Sequence, residues 1–241
     1  MLKKSLLFIA LFSAVNVVAL ANELKPEQKP ETKPAIKSLE TTKAPMQAVA
    51  SISAIKQTLM TKVANLAAFS ADFTQKVVDA DGNPLQENSG NLAVDKPNLL
   101  HWQVTQPNES LIVSDGKALW LYDPFIEQAS VYATNGAISN TPILLLANPD
   151  KSIWQNYNVK LLNKNHYLIT TKDENSQVKS LELHFNDNHN KTLETLNEFV
   201  ILDATGQLSR VQLTNVKPLA ANHKTLFTFT PPEGVEIDDQ R

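Results

Sequence analysis

Short segments that read as β-strands, separated by sequences typical of tight turns, restrict the fold of this chain more than any other feature. The predicted strands are residues 70–78, 86–95, 98–105, 110–114, 117–122, 125–132, 156–162, 165–172, 178–185, 196–203, 207–216 and 225–230. The breaks between them include DADGNP, SDGK and DATGQ, which supply the Asp, Asn, Gly and Pro that tight turns favour. Because connections this short join antiparallel neighbours, the sequence predicts a mainly antiparallel sheet.

Two further segments are predicted to be helical. Residues 48–67 carry Ile52, Ile55, Leu59, Val63 and Leu66 at spacings of three and four, which place one apolar stripe along a helix. A shorter helix is predicted at 142–147, where the proline of NTPILLLA suits a first turn. Large sheets curl, and an incompletely closed sheet needs a cover. The predicted fold is therefore mainly β (α+β), a curved antiparallel sheet with helices over its concave face.

The first 45 residues have the character of an export signal followed by a tether. Two lysines, an apolar run and Ala-Leu-Ala predict a secretory signal peptide at 1–21. Residues 22–45 are rich in Lys, Glu, Pro and Thr and cannot bury much apolar surface, so a disordered tether is predicted. With no cysteine after the cleavage site, we expect an exported protein without its own lipid anchor, whose single domain spans 46–241.

The residues that catalysis and metal binding need do not occur in recognisable patterns. Cysteine is absent, glycine occurs only 6 times, and the five histidines fit no metal-binding motif. Nucleophile elbows, phosphate-binding loops and dinucleotide fingerprints are also missing from the sequence. With a net charge of −3 the chain does not attract a polyanion, so no nucleic-acid partner is expected. We expect no enzymatic activity, no cofactor and no metal.

An apolar surplus is the main remaining signal. In DKPNLLHWQVTQPNES, residues 95–110, apolar side chains point to both faces of one short strand, and LWLY at 119–122 repeats this pattern. A strand with one solvated face should alternate between polar and apolar residues. Both a closely packed core and a hollow, ligand-holding interior are compatible with this surplus, and composition does not decide between them.

Several motifs, in order, give the chain a closer identity. SADFTQKVVDADG, NLAVDKPNLLHWQVTQPNESLIVSDGKALWLYDPFIEQA, NTPILLLA and FTFTPPEGVEIDDQR closely resemble the periplasmic outer-membrane lipoprotein carrier family, LolA. The likeness runs from about residue 55 to residue 241.

The resemblance implies an incomplete antiparallel β-barrel with a helical lid that covers an apolar cavity for acyl chains. It implies a non-catalytic, monomeric periplasmic carrier. Its implied partners are triacylated lipoproteins, the inner-membrane ABC transporter LolCDE that supplies them, and the outer-membrane receptor LolB that accepts them.

The resemblance also suggests site residues. In the family an arginine before the proline latches the lid, and here that position is Lys96. The latched region is expected to involve Val63, Leu146, Ala147 and Phe199. Lysine keeps the charge but lacks the planar fork of donors, which favours a weaker or water-bridged latch; a merely solvated lysine is the alternative. Candidate cavity residues are Phe73, Leu100, Trp102, Ile112, Leu119, Leu121, Ile143 and Leu145, any of which could instead be ordinary core.

Two other functions compete with the carrier hypothesis. A periplasmic regulator that senses lipids or lipoproteins could share this half-barrel, although such regulators usually carry a second domain after the sheet. The receptor LolB has a similar fold but needs a lipid-bearing cysteine, which this chain lacks.

Overall fold

The computed structural model describes residues 46–134, 142–148, 150–186, 195–220 and 222–241. The predicted signal peptide and tether lie outside these residues. The described residues form one α-helix, twelve β-strands and three short 3-10 helices. Among them, no helix combines the length and apolar character that crossing a membrane requires.

Helix α1 spans Met46–Asn65, within two residues of its predicted bounds. Leu59 and Val63 lie on one stripe and are buried, together with Leu66 just beyond the helix end. The ammonium of Lys56 donates a hydrogen bond of 2.9 Å to the carbonyl oxygen of Tyr157. The apolar stripe thus packs on the core, while a lysine fastens the helix to the edge of the sheet.

The strands form one open sheet. They are β1 Phe69–Val78, β2 Pro84–Asp95, β3 Leu99–Gln106, β4 Ser110–Asp115, β5 Ala118–Asp123, β6 Gln128–Ala133, β7 Tyr157–Asn163, β8 His166–Thr171, β9 Val178–Phe185, β10 Leu196–Asp203, β11 Leu208–Pro218 and β12 Glu236–Asp239. Their order in the sheet is β12-β6-β5-β4-β3-β2-β1-β11-β10-β9-β8-β7. The two ends of this order, β12 and β7, are not paired with each other, so the barrel is incomplete.

The sheet is strongly curved. Trp102 on β3 and Phe199 on β10 are four strand spacings apart in the sheet order. In a flat sheet that separation would be about 19 Å at roughly 4.8 Å per strand. Their ring centroids are 6.0 Å apart, and buried side chains from β1–β4 and β7–β11 join one apolar cluster. The concave side, here called the inner face, therefore holds the core.

The strand predicted at 225–230 is wrong. Residues His223–Phe227 form a 3-10 helix, and the last strand is β12, which pairs with β6 in parallel rather than antiparallel fashion. The apolar residues of TLFTFT cover the sheet and do not form another strand of it. Phe227 is buried, and the ring of Phe229 packs on Trp120. Since β12 runs parallel to β6, the chain must cross over the sheet in a long connection before it pairs there.

The apolar residues on both faces of β3–β6 now have partners. Leu119 points to the inner face and is fully buried in the core. Trp120 and Tyr122 point to the outer face, where the ring centroid of Phe229 lies 5.6 and 5.3 Å from theirs. The C-terminal segment, residues 222–241, thus covers the outer face of these strands. Two apolar faces with two different covers explain the poor alternation at 119–122. Strand β3 instead alternates, contrary to the prediction, because Leu100, Trp102 and Val104 are buried while the residues between them are partly exposed.

Candidate functional site

Residues 142–147 fill the concave side of the sheet and are here called the plug. They comprise the 3-10 helix Pro142–Leu146 and Ala147, which together match the bounds of the helix predicted at 142–147. Ile143 is 6% exposed, and Leu144, Leu145, Leu146 and Ala147 are at most 1% exposed. A short stretch of chain thereby supplies much of the apolar material that the curved sheet surrounds.

The predicted cavity residues gather on this same inner face. Phe73, Leu100, Trp102, Ile112, Leu119, Ile143 and Leu145 belong to one buried cluster, and Leu121 is half-buried against it. The strand register explains this grouping, because Trp102 lies opposite Ile112, which lies opposite Leu121. Phe73 and Trp102 stack with ring centroids 4.1 Å apart. Their use in holding acyl chains stays a prediction.

The interior is packed in this conformation. A cavity of about 50 Å³ lies between residues 66–69 and the ends of β10 and β11, and two others measure about 10 Å³ each. Pockets for organic ligands measure about 300–1,000 Å³. Among the described residues, these cavities are therefore several times smaller than a pocket for an organic ligand.

Lys96 lies in the turn between β2 and β3 and binds the end of helix α1. Its Nζ donates hydrogen bonds to the carbonyl oxygens of Val63 at 2.9 Å, Ala64 at 2.8 Å and Leu66 at 2.8 Å. The last carbonyls of a helix have no partner within the helix, and a cation there also meets the negative end of the helix dipole. An ammonium has three donors, and all three are used directly on this helix end.

The same turn reaches the plug through its backbone. The Asn98 N–H donates to the carbonyl oxygen of Ala147 at 2.9 Å. Asn98 itself has a φ of 58°, which asparagine tolerates better than most residues, and its carbonyl accepts a 2.6 Å bond from the Ser114 hydroxyl. The turn at residues 95–98, here called the latch turn, therefore contacts both α1 and the plug.

The predicted latch partners occupy different places around this turn. Val63 accepts a hydrogen bond from Lys96, and Leu146 lines a small cavity beside it. Ala147 is bound by Asn98 rather than by the lysine. Phe199 lies in the core against Trp102. The structure thus brings Lys96 to the helix end, while the contact with the plug comes from a neighbouring backbone group.

Asp95 in the latch turn and His223, which binds it from the C-terminal segment, are contacts that the sequence did not reveal. Asp95 accepts hydrogen bonds from the Lys96 N–H at 2.7 Å and shares a 2.8 Å bond with Nε2 of His223. The bond to Asp95 raises the pKa of His223, as does a hydrogen bond to the Ala220 carbonyl. Asp95 could have been predicted as a site residue, because it directly precedes Lys96 and its proline. His223 could not, because it lies 128 residues further along the chain.

The charge on Lys96 is set by two opposing effects. Burial lowers the pKa of its ammonium, because removing the charged group from water is unfavourable, and the neighbouring Asp95 carboxylate opposes that shift. The arrangement can hold a helix end and a plug in place, and every contact in it is reversible.

Comparison with known proteins places this site in a family. The model of the outer membrane lipoprotein carrier protein LolA family matches residues 64–230, which is more than half of the chain and includes the latch turn and the plug. This chain belongs to the outer-membrane lipoprotein carrier family. The predicted family is thereby confirmed. Because this is a family of carriers, the prediction that the chain is not an enzyme is confirmed as well.

Relatives in the LolA family cover most of the chain. The outer-membrane lipoprotein carrier proteins of Cronobacter sakazakii and of Klebsiella pneumoniae strain 342 are each 40% identical over 183 residues. These matches span 76% of this chain and 86% or 87% of the relatives. A LolA superfamily protein from Nitrosomonas europaea, of known structure, is 13% identical with a TM-score of 0.44, over 73% of this chain and 98% of its own.

Proposed function

We propose that this chain carries acylated lipoproteins through the periplasm, with their acyl chains on the inner face of the sheet in place of the plug. One observation supports this most directly. The buried surface of the plug comes from a single short stretch, and its end is bound to the latch turn by a backbone hydrogen bond from Asn98 to Ala147. Such a segment is a reversible filling of an apolar interior. Membership of the carrier family points the same way.

A carrier of this kind answers a physical problem. Each methylene moved from water to an apolar site contributes about 0.8 kcal/mol, so three chains of roughly fifteen methylenes represent up to about 35 kcal/mol. Triacylated lipoproteins therefore do not cross water unaided at a useful rate. A soluble carrier must shield the chains without holding them so strongly that transfer stops.

Competition between plug and cargo meets both demands. Exposing the four large apolar side chains of the plug costs roughly 1.5–3 kcal/mol each, or about 6–12 kcal/mol together. That cost is smaller than the gain from covering even two acyl chains, which is about 24 kcal/mol on the same scale. Cargo can thus displace the plug, and the returning plug lowers the net affinity for cargo.

The direction of transport then follows from differences in affinity. We propose that the inner-membrane transporter LolCDE loads the carrier and that the receptor LolB accepts the cargo because it offers a better apolar site. A signal peptide at 1–21 would export the chain, and the tether at 22–45 would precede one carrier domain at 46–241. In this scheme the latch turn sets how readily α1 and the plug part from the sheet.

The three tryptophans allow a direct test. Trp102 and Trp154 are buried in the inner cluster, whereas Trp120 packs under Phe229 on the outer face. Variants that keep one tryptophan are mixed with a triacylated lipopeptide whose acyl chains carry bromine, which quenches indole fluorescence on contact. We expect strong quenching when Trp102 is retained (Trp120→Phe with Trp154→Phe).

The matched control retains Trp120 instead, in the variant with Trp102→Phe and Trp154→Phe. It should bind the same lipopeptide, as judged by native mass spectrometry, with little quenching. Equal quenching of the two variants would place the chains elsewhere and contradict the proposal. Failure of the delipidated wild-type protein to bind any lipopeptide would contradict it as well.

A further inference from the structure

Two histidines face each other on the outer face of the sheet, away from the plug. His166 on β8 and His184 on β9 are register partners, and their ring centroids are 3.6 Å apart. Glu182 precedes His184 by two residues, so both side chains point to the same face of β9. Each of the three residues is partly exposed, so an ion can reach them from solvent. None of them contributes to the latch turn or to the inner cluster.

The ligand atoms of these residues converge. Nε2 of His166 lies 2.7 Å from Oε2 of Glu182, and Nε2 of His184 lies 3.4 Å from the same oxygen. One potential ligand atom from each residue lies within 4.8 Å of the other two. Ligands about 2.0–2.2 Å from a tetrahedral zinc ion are roughly 3.3–3.5 Å from one another. Small side-chain movements would therefore bring all three atoms to bonding distance of one ion.

A second carboxylate stands behind the group. Oε1 of Glu198 on β10 lies 3.5 Å from Nδ1 of His184, on the ring edge opposite the converging nitrogen. Arg210 on β11 donates a hydrogen bond to that same oxygen and holds it in place. Histidines that bind metals usually donate their other ring N–H to a carboxylate or carbonyl, which orients the ring. Glu198 is placed for this function.

We propose that His166, Glu182 and His184 bind a divalent transition-metal ion, with zinc as the best fit. Two imidazole nitrogens and one carboxylate oxygen form a common three-residue zinc set, which leaves the fourth position for water. Calcium and magnesium prefer six or more oxygen ligands, so this set does not suit them. Among the first-row ions, nickel and copper also favour imidazole ligands and would compete with zinc.

The bound ion would join neighbouring strands near one open end of the sheet. His166 comes from β8, the other two ligands come from β9, and Glu198 ties the group to β10. On the opposite face, Leu183 and Phe199 of β9 and β10 contribute to the core around the plug. The ion would thus brace part of the wall that surrounds the interior without touching acyl chains. The site is independent of the carrier function.

The test is a zinc titration of the full mature protein against a chromogenic chelator, with cobalt as the spectroscopic probe. We expect one ion per chain and the visible absorption of tetrahedral cobalt. His166→Gln or His184→Gln should each weaken binding at least 100-fold. Glu198→Gln should weaken it about 10-fold, as loss of an outer carboxylate typically does. His101→Gln, on β3, is the matched control and should leave affinity unchanged.

A thermal melt provides a second readout. Zinc should raise the melting temperature of the wild type and of His101→Gln but not of His184→Gln, because only a native-state ligand stabilises the fold. Circular dichroism of the apo variants checks that each has folded. Absence of stoichiometric zinc binding by the wild type would overturn the proposal. Equal affinity in the wild type, His166→Gln and His184→Gln would overturn it too.

Discussion

Replacing Lys96 by methionine tests how the latch turn holds α1. Methionine keeps most of the apolar stem but removes the charge and the three hydrogen bonds to the helix end. A cation at a helix C-terminus contributes up to about 2 kcal/mol in partly buried positions, and a hydrogen bond to a charged group contributes about 1.5–3 kcal/mol. Because the three bonds share one charge at a half-buried site that water can reach, we expect a total cost of about 2 kcal/mol.

That cost should fall mainly on the helix. A loss of 2 kcal/mol corresponds to an increase of about 30-fold in the population of the open state. Hydrogen exchange followed by mass spectrometry should therefore show faster exchange of the α1 amides by about this factor in Lys96→Met. Those amides of β9 and β10 that exchange through local openings serve as the internal reference and should be unchanged, because the lost bonds do not involve these strands. The melting temperature should fall by about 4–8 °C for a domain of this size.

Lys96→Arg is the charge-matched control. It retains the cation and adds donors, so exchange in α1 should be no faster than in the wild type and cargo release should be slower. If Lys96→Met and the wild type exchange α1 amides at the same rate, the lysine is merely solvated and the reasoning fails. If Lys96→Arg and the wild type behave identically in exchange and in cargo release, the expectation that lysine latches more weakly than arginine is refuted.

Two further predictions concern the turn and the sheet. The bond to Asp95 raises the pKa of His223 above its unfolded value, so the protonated form stabilises the fold. The stability difference between wild type and His223→Gln, from urea denaturation, should thus be largest below the ordinary histidine pKa of about 6.5 and shrink as the pH rises above it; a difference independent of pH would contradict this. Gly90→Ala should cost about 3 kcal/mol or more, because a Cβ there would lie 1.9 Å from the Gln103 carbonyl oxygen. Retention of the wild-type urea midpoint would contradict that estimate.

Strands were predictable from sequence where alternation and turn residues agreed. Strand β9 at Val178–Phe185 and strand β10 at Leu196–Asp203 match their predicted bounds. The alternation at 225–230 led to the wrong prediction of a strand. A period of two indicates only that one face of an extended segment is covered, not that the segment pairs in a sheet. Here Phe227 and Phe229 cover the outer face of the sheet instead of pairing in it.

The candidate site was predictable only in part, for a physical reason. Lys96 and the apolar plug lie in continuous motifs, so resemblance could identify them. The histidine pair could not be found this way, because His166 and His184 meet only through the register of β8 and β9. The same holds for Asp95 and His223, which a long chain return brings together. Contacts that depend on register or on chain return leave no local pattern in the sequence.

The latch turn binds three separate parts of the chain that pack on the sheet. Lys96 binds the end of α1, Asn98 binds the plug, and Asp95 binds the C-terminal segment through His223. Since the three residues lie within four positions of one turn, a change in its backbone alters all three contacts together. Under the proposed function, cargo that displaced the plug would break the bond from Asn98 to Ala147 and so free one side of the turn. Displacement of the plug and release of α1 would then be coupled events, and the strength of the Lys96 contacts would set how strongly they are coupled.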